Sequence, residues 1–183
     1  MPTRINSDND VSLRSVELSD AQFILQLRLN TELGAYLSKT TNNIEMQREF
    51  IEKCKLKEFQ KLEYYFIIEY QNIPVGTVRL YNIDYQKSTF TWGSWIVQRG
   101  NPGHVALSSA YMTYYFGFNN LNLQKALIDV RKENASVLKF YNTYCDFLYE
   151  DEIDCYLDFK KENFHKFTDK FQDKINTNVN IYL

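Results

Sequence analysis

The sequence predicts an α/β fold built on a mixed, mostly antiparallel sheet with helices on both faces. Three observations lead there. Apolar segments at 63–70, 74–84 and 88–97, separated by turn residues, read as an antiparallel meander. A turn, Arg99-Gly100-Asn101-Pro102-Gly103, ties the last of them to a run that is apolar nearly all round. Beyond that run, strand-like and helix-like segments alternate, and a helical crossover between strands implies a parallel pair.

Taken in order, Val11 to Val16 reads as a short first strand. The helix expected from Asp20 to Asn30 opens on Leu18-Ser19-Asp20-Ala21-Gln22-Phe23, where Ser19 can cap, Gln22 can reach back and Leu18 can staple onto Phe23. A second helix covers Ile44 to Phe59, with Ile44, Gln47, Ile51 and Cys54 at helical spacing. The segment EYYFIIEY is apolar on both faces, as in a strand covered by layers on each side. After the turn, 104–118 is a central helix, KALIDV (125–130) a strand, ENASVLKFYNTY (133–144) a helix and EIDCYLDF (152–159) a strand. A last helix sets Phe164, Phe167 and Phe171 on one face, and an Asn-rich tail ends the chain.

With 183 residues, 44% of them apolar, the chain is expected to form one domain, with a core at about 11–159 and a C-terminal helix and tail at 160–183. Its 21 basic and 23 acidic residues nearly cancel, which removes global attraction to nucleic acid or an anionic membrane. Three cysteines without metal spacing argue against a disulfide framework or a zinc site, so no metal is expected. No apolar stretch approaches the ~20 residues of a membrane span, and the start MPTRINSDND is too polar for a signal peptide. A cytoplasmic protein is expected. Two histidines make a Ser-His-Asp or Cys-His hydrolase a poor fit.

The turn itself suggests chemistry. A helix N-terminus presents unpaired amides and a partial positive charge, so small residues leading into one can cradle a phosphate. Asn101 is the expected cap and Pro102 the first helical residue, while Gly100 and Gly103 leave the backbone accessible and Arg99 and His104 flank it.

The whole succession, with YYFIIEYQNIPVGTVRLYNID, FTWGSWIV, the glycine turn and YYFGFNNLNLQKALIDVRKENASVLKFYNTYCDF, resembles the GNAT superfamily of acyl-CoA-dependent N-acetyltransferases over roughly residues 11–159. Within it the chain is most similar to the branch of ribosomal-protein and amino-sugar acetyltransferases. It departs from the family's Gln/Arg-x-x-Gly-x-Gly/Ala loop at Asn101 or Pro102, and carries Cys145 where glycine is common. The resemblance implies a sheet splayed between the fourth and fifth predicted strands, with acetyl-CoA as cosubstrate in the opening. Trp95, Ile96, Val97, Gln98, Arg99, Gly100, Asn101, Gly103, His104, Val105 and Asn134 would hold it, and one of the amides at 95–97 would polarise the thioester carbonyl. Tyr141, by spacing alone a core tyrosine, aligns through NASVLKFY with the family's tyrosine that protonates the departing thiolate; Tyr144 is its competitor.

The segment from Ser88 to Val97 has no Asp, Glu or His, so Asp84 and Glu69 on neighbouring strands are the candidate bases, each also readable as a salt-bridged or solvated carboxylate. Tyr36, Tyr81 and Trp92 are the expected acceptor-binding aromatics, with Trp95 equally suited to core packing; such faces suit sugar rings and bases. The expected activity is acetyl transfer to a primary amine of a nucleotide-linked amino sugar by direct attack. Protein N-terminal acetylation and a non-catalytic CoA-binding module are the alternatives. The expected partner is a small-molecule amine, without nucleic acid or membrane, and the chain a monomer or homodimer.

Overall fold

A computed structural model describes residues 3–34 and 36–183. The strands are β1 (Arg4–Ser7), β2 (Val11–Ser15), β3 (Tyr64–Tyr70), β4 (Ile73–Asp84), β5 (Thr89–Val97), β6 (Lys125–Arg131), β7 (Asp146–Glu150), β8 (Asp154–Lys160) and β9 (Val179–Tyr182). The helices are α1 (Ala21–Leu29), α2 (Ile44–Phe59), α3 (Gly103–Tyr115), α4 (Ala135–Tyr141) and α5 (Phe164–Phe171). The strands form one sheet in the order β7-β8-β6-β5-β4-β3-β2-β1-β9, in which only β5 and β6 run parallel.

Alternation along β3 shows why this segment is apolar on both faces. Tyr64, Phe66 and Ile68 enter the large core under α3, while Tyr65 and Ile67 meet Ile24 of α1 and Ile51 and Cys54 of α2. The large core is dominated by fully buried rings, Phe66, Phe90, Phe116, Phe118, Phe159 and Phe167 among them, and each such burial contributes about 1.5–3 kcal/mol. The hairpin between β3 and β4 turns on Gln71 and Asn72, both left-handed at φ 51° and 63°, the pairing that a two-residue turn of matched twist requires.

Several local expectations are corrected. Three further strands exist. β1 carries only one buried residue, Ile5, and takes its form from pairing with β2 and with β9, which occupies the Asn-rich tail. β7 is an exposed edge strand with no buried face to betray it. Ser19 does not cap α1: the chain enters through a 3₁₀ turn in which the Glu17 amide donates to the Asp20 carboxylate at 2.8 Å. Leu18, expected to staple onto Phe23, is exposed. The three cysteines are unpaired, and burial, assisted by Glu63, pushes the Cys54 thiol up to about 12, so it is inert at neutral pH. Among the described residues no helix is long and apolar enough to cross a membrane, and no group of three His, Cys, Asp or Glu side chains is placed to hold a metal ion.

Candidate active site

β5 pairs with β4 along most of its length, but with β6 only at Thr89, Phe90 and Thr91. Beyond Thr91 the two parallel strands part. The parting coincides with a bulge: Arg79 faces Gly93 and Thr77 faces Ile96, so Ser94 and Trp95 together oppose Val78, and Ser94 is left-handed at φ 52°. The extra residue resets the alternation, and Phe90, Trp92, Trp95 and Val97 all turn into the core around α3. Trp95 is fixed there by its indole N–H, which donates to Ser109 Oγ of α3 at 3.1 Å.

The gap is a cleft of about 140 Å³, lined by Trp92–Trp95 of β5, Ile128–Arg131 of β6, Asn134, Val137 and Tyr141 around α4, and Leu33, Tyr36 and Leu37 before α2. Its β5 wall offers peptide groups. The Gln98 amide donates to Val75 of β4, and the Ile96 carbonyl lies so close to Gly76 that a Cβ there would sit 2.2 Å away. Successive peptides of a strand point to opposite sides, which turns those of Trp95 and Val97 to the open side and Ile96's toward β4. Of the three residues expected to pair with an extended arm, Trp95 lines the cleft itself, and Val97 lies beyond its lining with its peptide turned away from β4.

The turn after β5 departs from expectation in its capping. Asn101 is not the cap: its side-chain amide donates to the Gln98 carbonyl at 3.0 Å, and α3 begins at Gly103 after an extended Pro102. Pro102 is itself extended, at φ −56° and ψ 142°, and takes the capping position, so the helix starts one residue later than expected. Gly100 is left-handed at φ 90°, a conformation that costs glycine nothing, and a Cβ at Gly100 or Gly103 would meet no atom within 4 Å. The first-turn amides of Gly103 and His104 have no acceptor within the helix, whereas Val105 is spent on the Pro102 carbonyl at 3.0 Å. The His104 ring packs edge-on against Tyr70, 5.6 Å between centroids, and Arg99 pairs with Glu32 at 2.9 Å on the surface. Open glycines and free first-turn amides fit a diphosphate, and the bare β5 edge fits an extended amide-bearing arm, as coenzyme A would require.

Across the cleft, Asn134 caps α4, accepting from the Val137 amide at 3.3 Å, and Tyr141 closes the same helix one face below. The Tyr141 hydroxyl is buried with no partner at full hydrogen-bond geometry among the described residues, though the Tyr114 hydroxyl is close enough to act on it. Burial holds its pKa well above the ordinary phenol value, so it stays a proton donor at neutral pH. Tyr144 is equally buried but packs on Phe159 and Phe167, behind the cleft rather than in its wall.

On the opposite face of the sheet a second compartment of about 380 Å³ meets the cleft at Ser94. It is lined by Arg28, Ser38–Thr41, Asn43, Met46, Gln47, Phe50, Arg79 and Tyr81. No carboxylate lines it. Arg79 lies over Tyr81, 4.7 Å from the ring centroid, and is paired with buried Glu63. Arg28 instead donates to Thr40 Oγ1 at 2.6 Å and to Ser38 at 2.9 Å, and both burial and nearby Arg79 lower its pKa. Of the expected aromatics, Tyr36 lines the cleft and Tyr81 the second compartment. Trp92 is turned to the other side, stacked on Tyr114 at 5.1 Å with 4% exposure, and shows the cleft only its edge.

Neither carboxylate expected as base reaches the cleft. Glu69 is buried at the far side of β3, held by Arg4 at 2.9 Å, Arg14 at 2.7 Å and Ser12 at 3.1 Å. Asp84 closes the β4–β5 turn, accepting from the Gln86 and Lys87 amides, at the end where β5 and β6 are still joined. The carboxylate that does line the cleft is Asp129 of β6. The sequence held a signal for it: an acid on the strand expected to run beside residues 95–97, alternating with Ala126, Ile128 and Val130 and so on the face opposite the core.

A family model for the GNAT acetyltransferase domain matches residues 10–143. No curated protein matches the sequence. Among solved structures, apo FdhC, a nucleotide-linked sugar GNAT, is 35% identical, with 91% of this chain and 95% of that chain covered and a TM-score of 0.81. RimJ of Mycobacterium smegmatis in complex with CoA-disulfide shares 16% identity over 93% of each chain, TM-score 0.73. Spermidine N-acetyltransferase of Vibrio cholerae in complex with CoA and spermine shares 18% over 86% of this chain and 99% of that one, TM-score 0.70.

Proposed function

Because the chain belongs to the GNAT acetyltransferase family, we propose that it moves the acetyl group of acetyl-CoA to a primary amine of a nucleotide-linked amino sugar. The observation that carries the acceptor class is the compartment beside Ser94. Its charged lining groups are Arg28, Lys39 and Arg79, all cationic, and among the described residues only Arg79 has a carboxylate partner. Burial and like charge hold Arg28 in an unfavourable state that an anion would relieve. A nucleoside diphosphate supplies that anion, and Tyr81 and Phe50 offer faces for its base or sugar. A polyamine would bring positive charge against positive charge. FdhC, to which the chain is 35% identical, is itself a nucleotide-linked sugar GNAT.

Acetyl-CoA supplies the activated acyl group. The first-turn amides of α3 receive its diphosphate, with Gly100 and Gly103 leaving them bare. The open peptides of Trp95 and Val97 align the arm, and one amide polarises the thioester carbonyl. Tyr141 protonates the departing thiolate from the α4 wall.

The test is acceptor competition. Acetyl-CoA is incubated with uridine- and thymidine-diphosphate amino sugars, the same sugars without nucleotide, spermidine and N-terminal peptides, and thiol release is followed. Nucleotide-linked sugars are expected to have the highest kcat/KM, with removal of the nucleotide raising KM more than it lowers kcat. Preference for peptides or spermidine overturns the acceptor assignment, and acetyl-CoA binding without release of thiol for any acceptor overturns catalysis.

A further inference from the structure

We propose that Asp129 is the catalytic base that takes the proton from the acceptor's ammonium, an inference that rests on the acetyl-transfer reading above. Three observations converge on it. First, Asp129 is the carboxylate in the lining of the cleft, and the adjoining compartment has none. Second, its position is that of a group facing the incoming amine. Thr91 pairs with Leu127, so extending that register by two residues sets Asp129 level with Gly93, where β5 and β6 have already parted. Gly93 carries no side chain, and Tyr81 folds into the space, its hydroxyl 3.0 Å from where a Cβ would be. Asp129 and Tyr81 thus flank the same bare stretch of β5, at the junction of the two compartments.

Third, Asp129 is left unpaired while the carboxylates around it are tied down. Arg131, the cation nearest it on its own strand, is drawn to Asp154 of β8 at 3.1 Å. No ion pair or side-chain hydrogen bond engages Asp129 among the described residues. Although Asp129 is open to solvent on the outer face of β6, the crowding of its carboxyl and then the Asp154 charge push its pKa above the usual aspartate value, against its own backbone amide and Arg131. The other titratable groups that feel it are Tyr81 of β4, pushed up to about 12 by burial and then by Asp129, and Tyr141 of α4. A carboxylate without a cation of its own accepts a proton more readily, which is what a base requires. Other candidates are committed elsewhere: Glu63 to Arg79 and Lys57, Glu32 to Arg99, His104 to Tyr70 and His165 to the Glu162 carbonyl.

The proton balance closes without further reactants. Asp129 accepts one proton from the ammonium, and the freed nitrogen pair forms the C–N bond. The C–S bond breaks, its electron pair leaves on sulfur, and the Tyr141 proton neutralises the thiolate. The second proton shed by nitrogen restores Tyr141, and Asp129 releases the first to solvent through the open mouth. The net change is one amide, one thiol and one proton from one ammonium and one thioester.

Asp129→Asn tests this. Calorimetry with acetyl-CoA and thermal melting are expected to match wild type, because Asp129 holds no partner. At neutral pH kcat/KM for a thymidine-diphosphate amino sugar is expected to fall by about 10²–10³-fold. Its pH profile should lose the acid limb set by the carboxylate and rise with unit slope toward the acceptor amine's own pKa. An Asp129→Asn protein with wild-type rate and limb overturns the inference and leaves the transfer reading intact, as does one that loses acetyl-CoA affinity or melts early. Wild-type protein that transfers to no amine removes the transfer reading, and the base with it.

Discussion

The sheet has two regions that treat polar groups in opposite ways. From β1 to β4, on the face under α1 and α2, buried charge is paired: Glu69 with Arg4 and Arg14, Asp20 with Arg14, Glu63 with Arg79 and Lys57. Around the β5–β6 gap the pattern reverses. Trp92 Nε1 and the Tyr144 hydroxyl are buried with no partner among the described residues, the Tyr114 and Tyr141 hydroxyls have only each other, and Asp129, on the exposed face of β6, stands without a cation; on the α2 side Gln47 Nε2 is the one such group. A buried polar group left alone costs about 1–3 kcal/mol, and a ligand in the cleft can offset that only for groups that line it. Trp92, Tyr141 and Asp129 line the cleft, whereas Tyr114 and Tyr144 lie behind it.

The largest expected effect breaks the paired side. Glu69→Ala leaves Arg4 without its carboxylate and Arg14 with Asp20 alone, and is expected to cost about 3 kcal/mol, at the low end for a buried pair because Arg4 is partly exposed. For a chain of this length that lowers the melting temperature by roughly 6–12 °C. kcat of the folded fraction should not change. A loss of kcat without a loss of stability would return Glu69 to the site.

Next comes the unpaired side. Tyr141→Phe keeps the ring and its packing on Trp92 and Phe140 while deleting the proton donor. Turnover is expected to fall by about 10²-fold, with acetyl-CoA affinity unchanged and stability no lower than wild type. Equal turnover in the variant would show that the thiolate leaves without help from this hydroxyl.

The same contrast explains how much could be read from the residues in advance. Segments with a buried face declared themselves by period, so the meander, the parallel pair and the helices from Ile44 to Phe171 were legible; the splay of that pair came from the family resemblance. β7 and β9, at the sheet's edges, and four-residue β1 beside β9 were not, because such short strands take their form from a partner and leave no pattern of their own. The bulge at Ser94 was equally silent, since nothing in TWGSW marks a left-handed serine. Tyr141 and Asn134 were singled out through the family resemblance of NASVLKFY rather than through their surroundings. The base failed for a physical reason: Glu69 is disqualified by Arg4 and Arg14, which are 65 and 55 residues away in the chain. Whether a carboxylate is structural or reactive depends on which cations the fold brings to it.

A smaller effect sharpens the paired side through pH. Burial alone would push the Glu63 carboxyl up, but Arg79, with Cys54 and Lys57, more than offsets this and holds it below the usual range. A carboxyl depressed on folding stabilises above its unfolded pKa of about 4.3, and that contribution is lost as pH falls through the folded value. Urea midpoints of wild type should therefore decline below about pH 4.5, by no more than ~1.4 kcal/mol per pH unit for this one proton. Glu63→Gln should be less stable at pH 7 and should lose that part of the acid slope; an unchanged slope would assign the acid sensitivity to other carboxylates.

The smallest effect separates two neighbours within the unpaired region. Tyr144 sits 5.9 Å from Tyr141, ring to ring, with its hydroxyl unpartnered, and burial has driven its pKa far above the phenol range. It does not line the cleft, so its hydroxyl is a cost with no substrate to offset it. Tyr144→Phe removes the orphan oxygen, keeps the contacts with Phe159 and Phe167, and is expected to stabilise by about 0.5–1 kcal/mol, raising the melting temperature by about 1–4 °C. Turnover should stay at the wild-type level. If instead Tyr144→Phe slows transfer as much as Tyr141→Phe does, the two hydroxyls act as one proton path, and the cleft reaches deeper behind α4 than its walls indicate.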